Sequence, residues 1–273
     1  MRSFSGKKAL VTGAASGIGR AIALALAEEG VSLWLLDIDQ AGLASTVREA
    51  ARHGVEVVAS PCDLADPAQI TATVDKLRAT WGSLNILVNN AGITHYGPMH
   101  LLTGDEWKRI LSINLLAPIQ LVRELLATLV DQEEAHILNI CSMFGLFPYR
   151  RVIAYQTSKY GLVGFTLALR GEYQRTNFGI TAVCPGFVRT PLISNLGTAD
   201  EPKSPPAWLC TSTDKVAARA LAAMRKNKGL VLITPAARIG WWLMRLSPAF
   251  VDWLNREGWR TRRKVTITDN RAS

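Results

Sequence analysis

The sequence predicts an α/β fold, in which helices cover both faces of a parallel β-sheet. Apolar runs of strand length alternate with helical segments along the chain, which is typical of parallel sheets. A glycine-rich turn at residues 12–19 also joins the first apolar run to the first helical segment. The chain has 273 residues and is 48% hydrophobic, so it can bury one large core. We therefore expect residues 1–233 to form a single domain.

The secondary-structure elements follow from this alternation. The segments with the length and apolar content of strands are 9–12, 32–37, 56–60, 86–89, 136–141, 180–184 and 230–233. Helices are predicted between them at 17–29, 40–53, 67–81, 104–129, 155–177 and 214–226. Gly30 is well placed to end the first helix in a left-handed conformation. Several prolines interrupt the stretch from about 186 to 213, which favours a lid over a site rather than a domain linker.

The glycine-rich turn indicates an anion-binding site. Gly13, Gly17 and Gly19 lie between a strand and the start of a helix. Such a turn presents backbone N–H groups and the positive end of a helix dipole to a phosphate group. Glycine turns also serve plain packing, so the spacing alone does not prove that a nucleotide binds.

An acidic residue at the end of the second strand strengthens the nucleotide interpretation. Asp37 follows Gly19 by eighteen positions, where a carboxylate accepts hydrogen bonds from both ribose hydroxyls and repels a 2′-phosphate. The alternative is that Asp37 caps a helix, but Asp39 is the better candidate for that role. Because neither Ser16 nor Ile38 supplies a cation for a phosphate, we expect NAD rather than NADP.

A second group of residues has the chemistry of a carbonyl site. Tyr155 and Lys159 are four positions apart, so both lie on one face of the predicted helix. Ser142, thirteen positions before Tyr155, follows the fifth predicted strand. A tyrosine is a poor base at pH 7 unless its pKa falls by roughly three units. Lys159 and a nicotinamide cation would together supply the positive charge for that shift. By itself, a tyrosine four residues before a lysine is common in helices.

These residues together resemble the short-chain dehydrogenase/reductase family. The resemblance extends from about residue 7 to about residue 233. The matching positions, in chain order, are Thr12, Gly13, Gly17, Gly19, Asp63, Asn89, Asn90, Ala91, Gly92, Asn114, Ser142, Tyr155, Lys159, Pro185, Gly186 and Thr190. The resemblance implies a Rossmann-type, doubly wound sheet of seven strands in three layers, with the cofactor across its carboxyl edge.

The resemblance also implies a role for each catalytic position. Tyr155 would be the general acid and base, and Lys159 would bind the nicotinamide ribose and lower the tyrosine pKa. Ser142 would orient the substrate carbonyl. Asn114 would hold a water molecule that links Lys159 to solvent. Substrate contacts are expected from Ser142, Tyr155, Phe144 and Phe187.

The implied cofactor site is larger. The position of Asp63 would bond the adenine amine, Asn89 would border the adenosine, and the segment from Pro185 to Thr190 would contact the nicotinamide. The full set of expected cofactor contacts is Gly13, Ser16, Gly17, Ile18, Gly19, Asp37, Asp63, Leu64, Asn89, Ala91, Gly92, Tyr155, Lys159, Pro185, Gly186, Val188 and Thr190.

The C-terminal residues differ from the rest of the chain in charge. Residues 225–273 hold eleven Lys or Arg against three Asp or Glu. They therefore carry eight of the nine net positive charges of the chain, and the first 224 residues are nearly neutral. Four of the eight tryptophans also lie there. Residues 234–273 therefore read as a basic amphipathic extension, too short and too charged to span a membrane. It would lie on a membrane surface, pack on another subunit or close over the substrate pocket; nucleic-acid binding is the least favoured alternative.

The remaining expectations concern location, metals and substrate. The amino terminus has no apparent signal peptide, which favours the cytoplasm. The four cysteines lack metal-ligand spacing, so we expect buried thiols and no metal. Large apolar side chains around the predicted pocket favour a lipophilic alcohol or ketone, with steroids, long-chain alcohols and acyl thioesters left open. The main hypothesis is an oxidoreductase that forms a homo-dimer or homo-tetramer. The alternative is a nucleotide-sensing protein without catalysis.

Overall fold

The structure, a computed structural model, describes residues 1–173, 177–190 and 209–253. One parallel sheet has the strand order β3-β2-β1-β4-β5-β6-β7. Its strands are β1 (Lys8–Thr12), β2 (Ser32–Asp37), β3 (Val57–Pro61), β4 (Ile86–Asn89), β5 (Ala135–Ile140), β6 (Phe178–Cys184) and β7 (Leu230–Leu232). The predicted seven-stranded, Rossmann-type α/β fold is confirmed, and the strand order reverses between β1 and β4. In open sheets of this kind the crevice at that reversal is where ligands bind.

Helices form a layer on each face of the sheet. They are α1 (Gly17–Glu28), α2 (Gln40–Ala50), α3 (Pro67–Trp81), α4 (Gly104–Leu111), α5 (Ala117–Val130), α6 (Ile153–Tyr173), α7 (Thr213–Arg225) and α8 (Pro235–Leu246). Ile22 and Val216 place α1 and α7 in one core cluster with β1 and β2. Leu77, Leu125 and Leu169 place α3, α5 and α6 in the other.

Most predicted boundaries lie within two residues of the observed ones, and Gly30 does end the first helix. Its φ is +80°, and its N–H donates to the carbonyl of Ala27. The helix predicted at 155–177 starts two residues earlier, at Ile153, and its predicted end falls partly on residues outside the described ranges. Of the predicted lid, only residues 186–190 and 209–213 are described, and the extension is described only as far as residue 253.

The prediction of one continuous helix at 104–129 was wrong in its middle. A π-helical turn, Ser112–Leu116, separates α4 from α5. Pro118 has no N–H group and cannot donate to the carbonyl four residues before it, so the regular α-helical bonding is interrupted there. Instead, the N–H of Ala117 bonds to the carbonyl of Ser112, five residues back. The sequence pattern of apolar residues continues across this turn, which explains why the interruption was missed.

The run Gly104–Val130 is, among the described residues, the one that is long and apolar enough to cross a membrane by length and composition. In the fold it is a sheet-covering helix, because Leu121, Leu125 and Leu129 are fully buried in the core cluster. We therefore read its apolar character as that of a core helix. Three of the four cysteines are buried as expected, whereas Cys210 is partly exposed.

Candidate active site

The start of α1 at the carboxyl end of β1 leaves backbone N–H groups available. Helices α2, α3, α4, α7 and α8 each begin with a side chain that accepts a backbone hydrogen bond. Helix α1 has no such cap from Ser16 and no acidic residue in its first turn. Its first N–H groups and its dipole therefore favour an anion.

Glycines are required in this turn by sterics. A Cβ atom on Gly19 would lie 2.1 Å from the carbonyl oxygen of Gly13, and one on Gly13 would lie 2.7 Å from Nδ2 of Asn90. Gly17 has a φ of +58°, which favours glycine. The turn is thus packed closely on its neighbours, and Ile18 beside it packs against the core.

Two residues after β4 hold the turn in place. The hydroxyl of Thr12 accepts hydrogen bonds from the N–H groups of Asn90 and Ala91 at 3.0 and 3.1 Å. Nδ2 of Asn90 donates to the carbonyl oxygens of Thr12 and Gly13 at 3.0 and 3.1 Å. The ends of β1 and β4 are therefore tied together where the strand order reverses.

Asp39, and not Asp37, caps helix α2, as expected from the sequence. Asp39 caps α2 by accepting a bond from the N–H of Gly42 at 3.1 Å. The two oxygens of Asp37 accept from the N–H groups of Ala15 and Asp39, at 2.9 and 3.0 Å. A carboxylate has about four acceptor positions, so Asp37 is fixed beside the glycine turn and retains capacity for further donors.

Ser142, Tyr155 and Lys159 come together at the carboxyl edge of β5. Ser142 follows β5 and is 7% exposed, while Lys159 on α6 is 3% exposed. Nζ of Lys159 donates to the carbonyl of Ile140 at 2.9 Å and lies 5.7 Å from the ring centroid of Tyr155. A lysine, a phenol and a hydroxyl thus share one partly enclosed site.

The environment changes the pKa of both ionisable groups. Burial raises the pKa of Tyr155 to about 12, and the nearby Ser142 hydroxyl opposes that shift. Burial also lowers the pKa of Lys159. The lowered tyrosine pKa expected from the sequence is therefore not produced by the surrounding protein groups. Desolvation penalises the phenolate more than the hydrogen bond with Ser142 stabilises it.

Asn114 lies in the π-helical turn and is fully buried. Its Oδ1 accepts from the N–H of Ile93 at 2.9 Å, and its Nδ2 donates to the carbonyl of Ile93 at 2.9 Å and to Oγ of Ser158 at 3.1 Å. A Cβ on Gly92 would lie 3.3 Å from Oδ1 of Asn114 and 3.5 Å from Nζ of Lys159. Asn114 and Lys159 therefore face the same backbone position, Gly92.

The segment after β6 connects the two ends of the site. The carbonyl of Pro185 accepts from the N–H of Met143 at 2.8 Å, next to Ser142. At the other end, Cγ2 of Thr190 would lie 3.4 Å from a Cβ on Gly17. Between them, a Cβ on Gly186 would lie 2.2 Å from Oγ1 of Thr234, while the Val188 side chain is buried in the core.

The side chains of three predicted cofactor residues, Asp63, Leu64 and Asn89, contact other protein groups or are buried. The Asp63 carboxylate accepts from the N–H of Ala65 at 2.9 Å and contacts Arg109 at 3.3 Å. The Leu64 side chain is buried in the core. Asn89 is 2% exposed and donates to Asn139 at 2.9 Å, and its own Oδ1 has no hydrogen-bond partner among the described residues.

An aromatic cluster lies beside Ser142. Phe144 stacks on Tyr149 with ring centroids 4.6 Å apart. It meets Phe147 and Phe187 edge to face, at 6.1 and 6.0 Å. The structure thus joins the two predicted substrate residues, Phe144 and Phe187, in one apolar surface.

Sequence reasoning missed the roles of Thr12, Asn90, Ser158 and Thr234 as supports of the site. A signal existed for Asn90, because two asparagines directly after a buried strand need hydrogen-bond partners. No pattern in the sequence distinguishes Ser158 or Thr234. Ser158 acts through its position on α6, one turn from Tyr155, whose carbonyl accepts its hydroxyl at 2.6 Å.

The chain is similar in sequence to known proteins. The family model described as short chain dehydrogenase matches residues 7–201. The ketoacyl reductase HetN of Nostoc sp. is 35% identical over 229 residues, which are 84% of this chain and 78% of HetN.

Solved structures match over most of the chain. A short chain dehydrogenase/reductase from Burkholderia phymatum in complex with NAD superposes with a TM-score of 0.79 and 26% identity, covering 98% of this chain and 99% of that chain. L-Sorbose reductase from Gluconobacter frateurii, complexed with NADPH and L-sorbose, gives a TM-score of 0.76 and 25% identity, covering 85% of this chain and 97% of that chain.

Proposed function

The chain belongs to the short chain dehydrogenase family, and from that membership we propose that it oxidises a secondary alcohol or reduces a ketone with a nicotinamide dinucleotide. The observation that carries the proposal is the meeting of Ser142, Tyr155, Lys159 and Asn114 at one edge of the sheet. That edge also holds the uncapped start of α1. A proton-transfer site and an anion site therefore lie where one dinucleotide would extend between them.

The residues present fit such a cofactor. The free N–H groups of α1 suit a pyrophosphate, and Asp37 suits a ribose. Gly92 leaves room beside Nζ of Lys159, where a side chain would approach within 3.5 Å. When bound, the nicotinamide ring supplies or accepts the hydride at its C4 atom.

The protein's own residues then manage the proton. With a pKa raised to about 12, Tyr155 keeps its proton at neutral pH and is ready to donate it to a carbonyl oxygen. Ser142 donates a hydrogen bond to that same oxygen and fixes its position. In the oxidation direction the phenol must first lose its proton. Lys159 and the positive charge of an oxidised nicotinamide favour that loss.

We favour NAD over NADP because of Asp37. Its carboxylate is held by the N–H groups of Ala15 and Asp39, so it cannot easily turn away from the ribose position. A 2′-phosphate there would meet a fixed negative charge. The neighbouring Ile38 is 61% exposed and brings no compensating cation.

We propose a lipophilic substrate because the wall beside Ser142 is aromatic. Phe144, Phe147, Tyr149 and Phe187 form that wall, and an apolar surface gains most from apolar ligand area. The similarity to a ketoacyl reductase supports an acyl chain that carries a ketone as one such substrate. Steroids and long-chain alcohols also present a large apolar area to this aromatic wall, so we propose them as alternative substrates.

We further propose a homo-dimer or homo-tetramer in the cytoplasm. Leu116, directly before α5, is 55% exposed, and Leu167, on α6, is 41% exposed. Exposed apolar side chains on neighbouring helices are typical of subunit contacts. Light scattering of the purified protein at several concentrations would measure the mass.

The experiment that tests the function follows nicotinamide absorbance with a series of secondary alcohols of increasing chain length, and with the matching ketones in reverse. We expect turnover to rise with chain length, because the aromatic wall binds apolar area. Binding of NADH without turnover of any substrate in the series would favour the nucleotide-sensing alternative. Absence of NADH and NADPH binding would contradict the dinucleotide site itself.

A further inference from the structure

Helix α8 and the helical residues 248–253 expose a row of large apolar side chains. Ile239, Trp242 and Leu246 are 59%, 54% and 76% exposed. Their spacing of three and four positions places them on one side of the helix. Phe250 and Trp253, on the helical residues 248–253, are also exposed, at 41% and 52%, and their rings stack with centroids 5.6 Å apart. We name these five residues the C-terminal apolar stripe.

The opposite side of α8 is already used for packing. Ala237 is fully buried, and a Cβ on Gly240 would lie 2.4 Å from Cε1 of Phe147. At about 100° per residue, Trp242 lies on the far side of the helix from both positions. Helix α8 therefore has apolar surfaces on two opposite sides, and the described residues of its domain cover only one of them. A helix of this kind normally has a second apolar partner.

Positive charge borders the stripe. Arg238 and Arg245 are exposed and are seven positions apart, so they form a row next to Trp242. The Arg245 guanidinium lies over the Trp241 ring, 5.0 Å from its centroid. In the sequence, residues 254–264 hold one acidic residue, Glu257, and five cations: Arg256, Arg260, Arg262, Arg263 and Lys264.

We propose that the C-terminal apolar stripe docks on the surface of a lipid bilayer that contains anionic lipids. Tryptophan, leucine and isoleucine enter the boundary between headgroups and acyl chains, while arginines beside them meet the lipid phosphates. Charge decides between a bilayer and a second copy of this chain. A two-fold contact through the stripe would bring Arg238 and Arg245 of one copy toward those of the other, which opposes association.

The position of the stripe gives the docking a purpose. The buried side of α8 rests on Phe147, which belongs to the aromatic wall beside Ser142. Docking through the exposed side would hold that wall close to the bilayer. A lipophilic substrate would then reach the site directly from the membrane, an extension that rests on the proposed function, whereas the docking itself does not.

The test measures flotation of the full chain with vesicles, without substrate or cofactor. We expect the protein to float with vesicles of equal parts phosphatidylcholine and phosphatidylglycerol at low salt, and to remain below vesicles of phosphatidylcholine alone. The double variant Trp242→Ser/Leu246→Ser should bind the anionic vesicles at least about tenfold more weakly, since it loses two inserted side chains. The matched control is Leu101→Ser, because Leu101 is 64% exposed and lies outside the stripe.

A second pair of variants separates charge from apolar contact. Arg238→Gln and Arg245→Gln should each weaken binding to anionic vesicles about fivefold, and Arg52→Gln, an exposed arginine outside the stripe, should not. NADH titration of every variant checks that the cofactor site is intact, so a failure of docking is distinguishable from a failure of the proposed function.

Two outcomes would overturn the proposal. The first is that the intact chain stays with the unbound fraction in the presence of anionic vesicles at low salt. The second is that Trp242→Ser/Leu246→Ser lowers the mass of the protein in solution measured by light scattering. That result would assign the stripe to contact with a second copy of the chain.

Discussion

The two edges of the sheet both carry polar side chains, but among the described residues only the carboxyl edge leaves hydrogen-bonding groups for a ligand. At the amino edge, Asn85 accepts from the N–H of Lys8 at 3.1 Å and donates to the carbonyl of Glu134 at 3.2 Å. Arg170 on α6 donates to the carbonyl of Ile180 at 2.8 Å. These side chains bond to main-chain groups of the protein itself, so their contribution is to stability.

At the carboxyl edge the main chain is tied together just as firmly, but donors remain. The start of α1 is uncapped. Ser142 and Tyr155 lie next to each other at this edge, and the aromatic wall begins two residues after Ser142, at Phe144. The difference teaches that polar character does not mark a functional site in this fold. The helix start that the protein leaves without a side-chain cap, and the glycines packed beside it, do mark one.

The largest effect should follow from removing a single oxygen at the carboxyl edge. Tyr155→Phe deletes the group that we assign to proton transfer, and we expect turnover to fall by about a hundredfold to ten-thousandfold. NADH affinity should change little, because the ring and Lys159 remain. Steady-state rates and an NADH titration on the same protein measure both quantities.

Tyr160→Phe is the matched control for that experiment. Tyr160 lies on the same helix, next to Lys159, and is 39% exposed. The control should retain activity. Turnover by Tyr155→Phe at the level of the control would remove Tyr155 from the mechanism.

The second effect concerns the backbone of the same edge. Gly19→Ala would place a Cβ 2.1 Å from the carbonyl of Gly13, so the turn must move away from its position. We expect NADH affinity to fall by at least about a hundredfold, since overpacking a fixed turn costs about 3 kcal/mol. Fluorescence titration measures the affinity, and circular dichroism shows whether the sheet and helices persist.

Gly104→Ala supplies the comparison, because a Cβ on Gly104 would meet nothing within 4 Å. It should bind NADH as the unchanged protein does. If Gly19→Ala also kept full affinity, the glycine turn would be a packing feature and not a cofactor site.

The sequence predicted these two edges unequally. The sheet, most helix boundaries and the positions of Gly19, Ser142 and Tyr155 follow from apolar spacing and local motifs. The π-helical turn at Asn114 does not, because the apolar pattern runs through it and only Pro118 signals a break. The direction of the Tyr155 pKa shift was also beyond the sequence. It depends on the desolvation of the phenol by burial, which is a property of packing.

The third effect is a change of cofactor preference. Asp37→Ser removes the fixed carboxylate beside the ribose position, so NADH loses a charged partner and NADPH loses a repulsion. We expect the ratio of NADPH to NADH affinity to rise about thirtyfold, which corresponds to about 2 kcal/mol. Parallel titrations with both dinucleotides measure that ratio.

Asp39→Ala tests whether the effect belongs to Asp37. Asp39 caps α2, so its loss should lower the free energy of unfolding by about 1 kcal/mol and leave the cofactor preference unchanged. An unaltered preference in Asp37→Ser would contradict the assignment of NAD.

The smallest effect lies at the amino edge and should leave the chemistry untouched. His136 is fully buried, and its Nε2 lies 2.8 Å from the Thr181 hydroxyl, which itself donates to the carbonyl of Lys228 at 2.6 Å. Because that hydroxyl proton is already used, Nε2 must carry the ring proton and Nδ1 must be bare. Nδ1 has no partner among the described residues, and burial lowers the pKa of His136 to about 3.

This shift makes stability depend on pH. The unfolded chain binds a proton on His136 below its ordinary pKa of 6.5, whereas the folded chain does not until about pH 3. The free energy of unfolding is therefore unaffected by protonation of His136 above pH 6.5. Below pH 6.5 it falls by about 1 kcal/mol per pH unit. Urea unfolding at pH 7 and at pH 5 measures this fall.

His136→Gln keeps a donor for Thr181 without a titrating group, so its unfolding free energy should fall less between pH 7 and pH 5. Its NADH affinity at pH 7 should match that of the unchanged protein. An equal fall in both proteins would place the acid sensitivity elsewhere. A loss of NADH affinity would show that the two edges are coupled, against the separation of stability from function that their hydrogen bonds indicate.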